Sequence, residues 1–202
     1  MVPVDSAIDQ FIAAGVRHDL IGDPEPGVHI ANAEAFAARI DPNGAVLDLG
    51  SGAGLPGLLL ARLRPDLSVT LVDASARRCR FLAEWSERLV PDARVVHGRA
   101  EAVARDPAHR RAYDAVTARS FGPPAVTAEC AVGFLRPSGR LLVSEPPGGD
   151  DDRWPQPGLE TLGLTSRGLH TLGSTTIQVL ELVRPDDRFP RRDGRPAKRP
   201  IF

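Results

Sequence analysis

The run Ala45-Val46-Leu47-Asp48-Leu49-Gly50-Ser51-Gly52-Ala53-Gly54-Leu55-Pro56-Gly57 decides the fold. Ala45, Val46, Leu47 and Leu49 form a short apolar stretch that reads as a buried strand. Gly50, Gly52 and Gly54 follow at once, and Leu58–Leu63 has helical spacing. Strand, glycine turn and helix in this order open a nucleotide-binding α/β unit. Glycine permits a positive φ and lets a ligand lie against bare backbone, and the start of the following helix offers unpaired N–H groups. Pro56 suits the first turn of that helix. The other reading of the run is a plain glycine turn with no ligand.

The spacing is Gly-x-Gly-x-Gly, whereas a dinucleotide fold places its third glycine one residue later, where it packs the helix beside a pyrophosphate. Asp48 stands two residues before the first glycine. A carboxylate there suits a ligand with an ammonium or hydroxyl end better than one with phosphates. S-adenosylmethionine has an ammonium, a sulfonium and no phosphate.

Working outward, a second strand at Ser68–Val72 ends at Asp73, where a carboxylate accepts from two vicinal ribose hydroxyls. The alternative for Asp73 is an acid favoured at a helix N-terminus. Helix Ser75–Leu89 puts Phe81, Leu82, Trp85 and Leu89 on one face, with Trp85 read as core and Arg77, Arg78 and Arg80 on solvated faces. A third strand, Arg94–His97, leads into Gly98-Arg99-Ala100-Glu101. The Ala100 backbone and the Glu101 side chain are placed to serve an adenine. A fourth strand, Tyr113–Thr117, brings Arg119 to the carboxyl ends of the strands, where the site of an open α/β sheet lies. Helix Ala125–Leu135, a turn at Arg136–Gly139 and a strand at Arg140–Ser144 come next. Two further strand-like runs, near Leu159–Leu164 and at Thr175–Val183, suit an antiparallel edge. Before all of these, Ala7–Ala14 and Ala31–Ile40 read as helices separated by the loop Gly22–Gly27.

The 202 residues suit one α/β domain. It divides into an N-terminal helical region over 1–40, a cofactor-binding core over 41–183 and a basic tail over 184–202. The net charge of −1 excludes a polycation, yet Arg188, Arg191, Arg192, Arg195, Lys198 and Arg199 crowd the tail. That tail reads either as an extended phosphate contact or as a disordered soluble terminus. Arg191, Arg192 and Lys198 are the candidate substrate contacts. Cys79 and Cys130 have no metal-site spacing. No apolar run approaches a membrane span. The acidic Asp5 and Asp9, with no basic-then-apolar leader, predict a cytoplasmic chain.

With Asp48–Gly57, Gly98-Arg99-Ala100-Glu101 and Ala118-Arg119-Ser120 lined up, the chain resembles the RsmG family, also called GidB. Arg64-Pro65-Asp66, Leu135–Arg140 and the tail Arg188–Pro200 resemble it too. The resemblance implies a class I S-adenosylmethionine-dependent methyltransferase with a Rossmann-like, mostly parallel seven-stranded sheet and helices on both faces. It implies methylation of a guanine N7 in 16S rRNA, with the small ribosomal subunit as partner, no metal, and a monomer. Carried over, the cofactor contacts are Gly50, Leu55, Ala100, Glu101 and Arg119, with Arg119 the candidate catalytic residue. Asp48, Gly52, Gly54 and Asp73 join them from the residues themselves. The sequence departs from the family where Glu145-Pro146 stands for its Lys-Gly, predicting a negative charge near the acceptor, and where its arginine-histidine-leucine is Val28-His29-Ile30. Another RNA or a small molecule as acceptor, and a non-enzymatic S-adenosylmethionine- or RNA-binding protein, stay open as alternatives.

Overall fold

The computed structural model describes residues 6–146 and 149–202, and of Asp151 the backbone alone. Asp5, and Pro147 and Gly148 of the Pro/Gly-rich stretch after the fifth strand, lie outside the described residues. The chain runs α1 (Ser6–Arg17), α2 (Pro26–Ala37), β1 (Ala45–Leu49), α3 (Gly57–Leu63), β2 (Ser68–Asp73), α4 (Ala76–Leu89), β3 (Arg94–His97), α5 (Ala100–Val103) and β4 (Tyr113–Ala118). It continues through α6 (Pro124–Val132), β5 (Leu135–Glu145), a 3-10 turn (Asp151–Arg153), α7 (Gln156–Thr161), β6 (Leu164–Leu172), β7 (Thr175–Leu182) and α8 (Arg195–Lys198).

The strands form one seven-stranded sheet in the order β3-β2-β1-β4-β5-β7-β6. β3 to β5 are parallel, and β7 pairs antiparallel with both β5 and β6. The strand order reverses between β2-β1 and β4, so the carboxyl ends of β1 and β4 flank a crevice at the switch point.

Alternation along the strands explains why both faces are covered. Val46, Val69, Leu71, Leu142 and Val179 point to one side and pack under α1 to α4. Leu47, Leu49, Val72, Leu141, Val143 and Leu180 point to the other and pack under α5, α6 and α7. A parallel sheet whose faces are both buried needs this near-continuous apolar run. Phe11, Phe81 and Trp85 cluster between α1 and α4, so Trp85 is core as read from its spacing.

Three sequence expectations shift. α2 starts at Pro26, not Ala31, because proline is tolerated in the first turn; His29 therefore rides on a helix. The run near Leu159–Leu164 is not a strand: α7 occupies Gln156–Thr161, with Leu159 and Leu162 buried three apart at helical spacing. The strand begins only at Leu164, after Gly163 at φ +73°, where any Cβ would overlap the Arg184 carbonyl. Finally, Arg136–Gly139 is a bulge inside β5: Leu135 pairs with Tyr113, but Arg140 already pairs with Ala115.

Candidate cofactor and acceptor site

The site is built on the turn after β1. Gly50 leaves the strand at φ +67°, and Gly52 and Gly54 are also left-handed. At Gly50 the requirement is double, because an added Cβ would meet Phe121 Cδ2 at 2.5 Å. Ser51 N–H donates to the Val72 carbonyl at 3.0 Å, and Gly52 N–H donates to Asp73 Oδ2 at 2.9 Å, so the turn is sewn to the end of β2. Asp73 Oδ1 accepts from Ser75 N–H at 2.8 Å. Asp73 thus braces the glycine turn and the entry to α4. Each of its oxygens keeps a further lone pair for a ribose hydroxyl.

Asp48 lies beneath the turn, 1% exposed. Oδ1 accepts from Thr117 Oγ1 on β4 at 2.7 Å, while Oδ2 has no hydrogen-bond partner. Burial pushes its pKa up to about 6, against the lowering effect of the Thr117 hydroxyl. Gly57 is the close approach that makes room for it, since a Cβ there would come within 2.6 Å of Asp48 Oδ2.

Arg119 emerges from the tip of β4 half-buried. Burial pulls its pKa down while Asp23 and Asp48 raise it; an arginine stays charged under any such balance. Its Nη1 lies 3.4 Å from His29 Nδ1, and His29 Nε2 lies 2.9 Å from the Asp23 carbonyl. A carbonyl only accepts, so Nε2 carries the proton and Nδ1 accepts from Arg119. The neutral imidazole therefore links the α1–α2 loop to Arg119.

These groups enclose a cavity of about 370 Å³, lined by Gly50, Gly52, Leu55 and Arg119 and roofed by Leu20–Asp23 and His29. Arg78 of α4 reaches its edge, 3.6 Å from Asp73. A second cavity of about 310 Å³ lies at the tips of β4 and β5 and shares Arg119 and Ser120 with the first. Among the described residues there is no His, Cys, Asp and Glu group that could hold a metal ion. No described helix is long and apolar enough to cross a membrane.

The profile of the family described as GidB, rRNA small subunit methyltransferase G, matches residues 8–145. The chain belongs to the RsmG (GidB) family. It is similar to the ribosomal RNA small subunit methyltransferase G of Symbiobacterium thermophilum, at 36% identity over 81% of this chain and 72% of that protein. The Deinococcus deserti protein of the same name is 38% identical over 81% of this chain and 71% of its own length. Among solved structures, the Bacillus cereus O-methyltransferase in complex with SAH superposes with a TM-score of 0.64 at 16% identity. That overlap covers 90% of this chain and 93% of the other, and it shows the class I methyltransferase fold alone.

The cofactor of this methyltransferase family fits the first cavity. Bare backbone at Gly50 and Gly52 and a guanidinium at Arg119 line it, and the buried carboxylates of Asp48 and Asp73 stand behind the glycine turn, which suits a ligand with hydroxyls and a carboxylate and ammonium end. Its volume lies within the usual range for small-molecule sites. Gly50→Ala is accordingly expected to lower stability by about 1–3 kcal/mol through its left-handed φ. It also drives Phe121 off the turn. Thermal melting and calorimetric titration with S-adenosylhomocysteine check both.

Of the predicted cofactor residues, Gly50, Gly52, Leu55 and Arg119 line this cavity, while Asp48 and Asp73 are buried behind the turn and do not line it. Gly54 packs inward against Leu58 and Leu82. Ala100 is buried at the start of α5, and the Glu101 side chain, expected to serve an adenine, is buried and held by partners within the protein. Glu101 instead accepts from Gly194 N–H at 2.8 Å and from Arg99 at 3.1 Å. Burial pushes its pKa up, but the Gly194 amide and Arg99 outweigh this and hold the carboxyl below its ordinary value.

The tail is not a disordered terminus. Arg191, expected at the RNA, is bound to the buried Glu129 of α6: Nε to Oε1 at 2.7 Å, Nη2 to Oε2 at 2.5 Å, and its backbone N–H to Oε1 at 2.9 Å. Arg192 and Lys198 remain exposed and, with Arg191 itself, Arg105, Arg188 and Arg195, line a surface cleft interrupted by Asp187 and Asp193. Sequence reasoning missed Asp23, Arg78 and Phe121 as site residues, and it met His29 only as a remnant of a family stretch. Asp23 and His29 come from the helical region before β1, whose spacing carries no sign of the cavity it roofs.

Proposed function

We propose that this RsmG-family chain transfers a methyl group from S-adenosylmethionine to N7 of a guanine in 16S rRNA of the small ribosomal subunit. The observation that carries the reading is the pair of adjoining cavities sharing Arg119, one on the glycine turn and one at the β4 and β5 tips, in a member of an rRNA methyltransferase family. We also read residues 1–202 as a single domain, with the N-terminal helical region, core and tail divided as above, acting as a cytoplasmic monomer without a metal.

Bound S-adenosylmethionine supplies an electrophilic methyl on a sulfonium. Guanine N7 offers a free lone pair and loses no proton, so the residues are needed for alignment and exclusion of water, with no general base. Arg119 takes the cofactor carboxylate with its guanidinium fork. His29 fixes the direction of that fork through Nδ1. Asp73 accepts from the ribose hydroxyls, and the Gly50–Gly52 backbone lets the ligand lie close. The Ala100 backbone faces the adenine end, while the Glu101 carboxylate keeps α5 in place through Gly194. Arg192 and Lys198 meet RNA phosphates from the tail.

The test is transfer from radiolabelled S-adenosylmethionine, offered in parallel to unmodified small ribosomal subunits, naked 16S rRNA and a low-molecular-weight extract. The expected result is label in 16S rRNA that maps to guanine N7. Label confined to the extract overturns the RNA acceptor and leaves a methyltransferase acting on a small molecule.

A further inference from the structure

The second cavity contains a charged device that the steps above leave unused. Glu145 ends β5 with its side chain fully buried. Oε1 accepts from Trp154 Nε1 at 3.0 Å, and Oε2 is paired with Arg153 Nη1. A buried carboxylate needs such partners. Both residues line the cavity, and the exposed side of the pair is the cation: the Glu145 side chain is 0% exposed, while the Arg153 side chain is 34% exposed. The negative charge expected at Glu145 is thereby covered, and the cavity is presented with a guanidinium. Trp154 is itself buried, so the mount is stiff. Asp150 and Asp152 are exposed and do not line the cavity.

We propose that Arg153 binds a phosphate of the acceptor nucleotide, with Glu145 and Trp154 as its mount. This rests on the reading of the chain as an RNA methyltransferase. Guanidinium has five N–H donors in a flat fork, and Arg153 gives only Nη1 to a described residue. Its Nε and Nη2 edge is left for the paired oxygens of a phosphate. Charge development favours phosphate over the base edge. Methylation at N7 leaves positive charge on the guanine ring, which a cation at that edge would oppose.

The experiment measures binding of unmodified small subunits and of 16S rRNA to wild type, Arg153→Ala and Arg153→Lys across a range of salt, with S-adenosylhomocysteine present. Arg153→Ala is expected to bind both probes more weakly and to flatten the dependence of log K on log salt by about one phosphate contact. Arg153→Lys keeps the wild-type slope, and S-adenosylhomocysteine affinity by calorimetry is unchanged in both. If Arg153→Ala fails to fold around an unpaired Glu145, Arg153→Ala combined with Glu145→Gln removes both charges and is expected to give the same flattening. A wild-type slope in the folded alanine variants overturns the proposal and leaves Arg153 a partner of Glu145 only. A wild-type chain that binds neither probe overturns the RNA reading, and the phosphate role with it.

Discussion

Arg191→Ala is expected to lose about 3–5 kcal/mol of folding stability, the cost of leaving a buried charge without its partner. Glu129 is 0% exposed, and apart from the Arg191 backbone N–H its described hydrogen bonds come from the Arg191 guanidinium. The neighbouring carboxylate raises the pKa of Arg191 in turn. A domain commonly has about 5–15 kcal/mol in total, so the variant falls toward the edge of folding. Urea denaturation reads the loss directly. Arg192→Ala and Lys198→Ala, both exposed, are expected to stay within about 0.5 kcal/mol of wild type. An Arg191→Ala protein as stable as these two would show that the tail is not held through Glu129.

The second large effect is a pH dependence. Asp48 titrates at about 6 in the fold, against 3.8 in an unfolded chain. Between those values the folded protein binds the extra proton, so its stability falls as pH rises. The cost is absent below about pH 4 and complete above about pH 6, where it reaches about 3 kcal/mol. Asp48→Asn cannot ionise. The stability of wild type minus that of Asp48→Asn is therefore expected to decline by about that amount between pH 4 and 7, measured by denaturation at each pH without cofactor. A flat difference would show that the buried carboxylate meets compensation the structure does not contain. The same variant is expected to bind S-adenosylmethionine more weakly at pH 7, because the negative charge beneath the glycine turn is lost.

The parts of this molecule that were legible in its sequence are local. The strand, glycine turn and helix at Ala45–Leu63 have period and breakers on the page, and the acids Asp48 and Asp73 sit at strand tips that the pattern itself defines. The strand at Thr175–Val183 and its place in an antiparallel edge came from the same periodicities, whereas the order of strands across the sheet did not. The Leu159–Leu164 run misled because a short apolar stretch fits a strand and a buried helix turn equally well. What stayed hidden depends on long-range pairing. Glu129 meets Arg191 across 62 residues, and Glu101 meets Gly194 across 93. Glu145 read as a lone negative charge because nothing in the spacing says that Arg153 folds back onto it. Charge can be counted from a sequence, but the side of the protein on which it is felt requires the fold.

The Gly194–Glu101 hydrogen bond bears on how the protein is made. α5, beside the adenine end of the proposed cofactor site, is steadied by a backbone amide from the tail. Synthesis proceeds from the N-terminus, and folding starts before the chain is finished. A nascent chain can therefore assemble the glycine turn and most of the sheet long before Glu101 has its partner. The carboxylate that steadies α5 thus stays without its amide partner until Gly194 has been made, so the start of this helix is among the last parts of the fold to be completed.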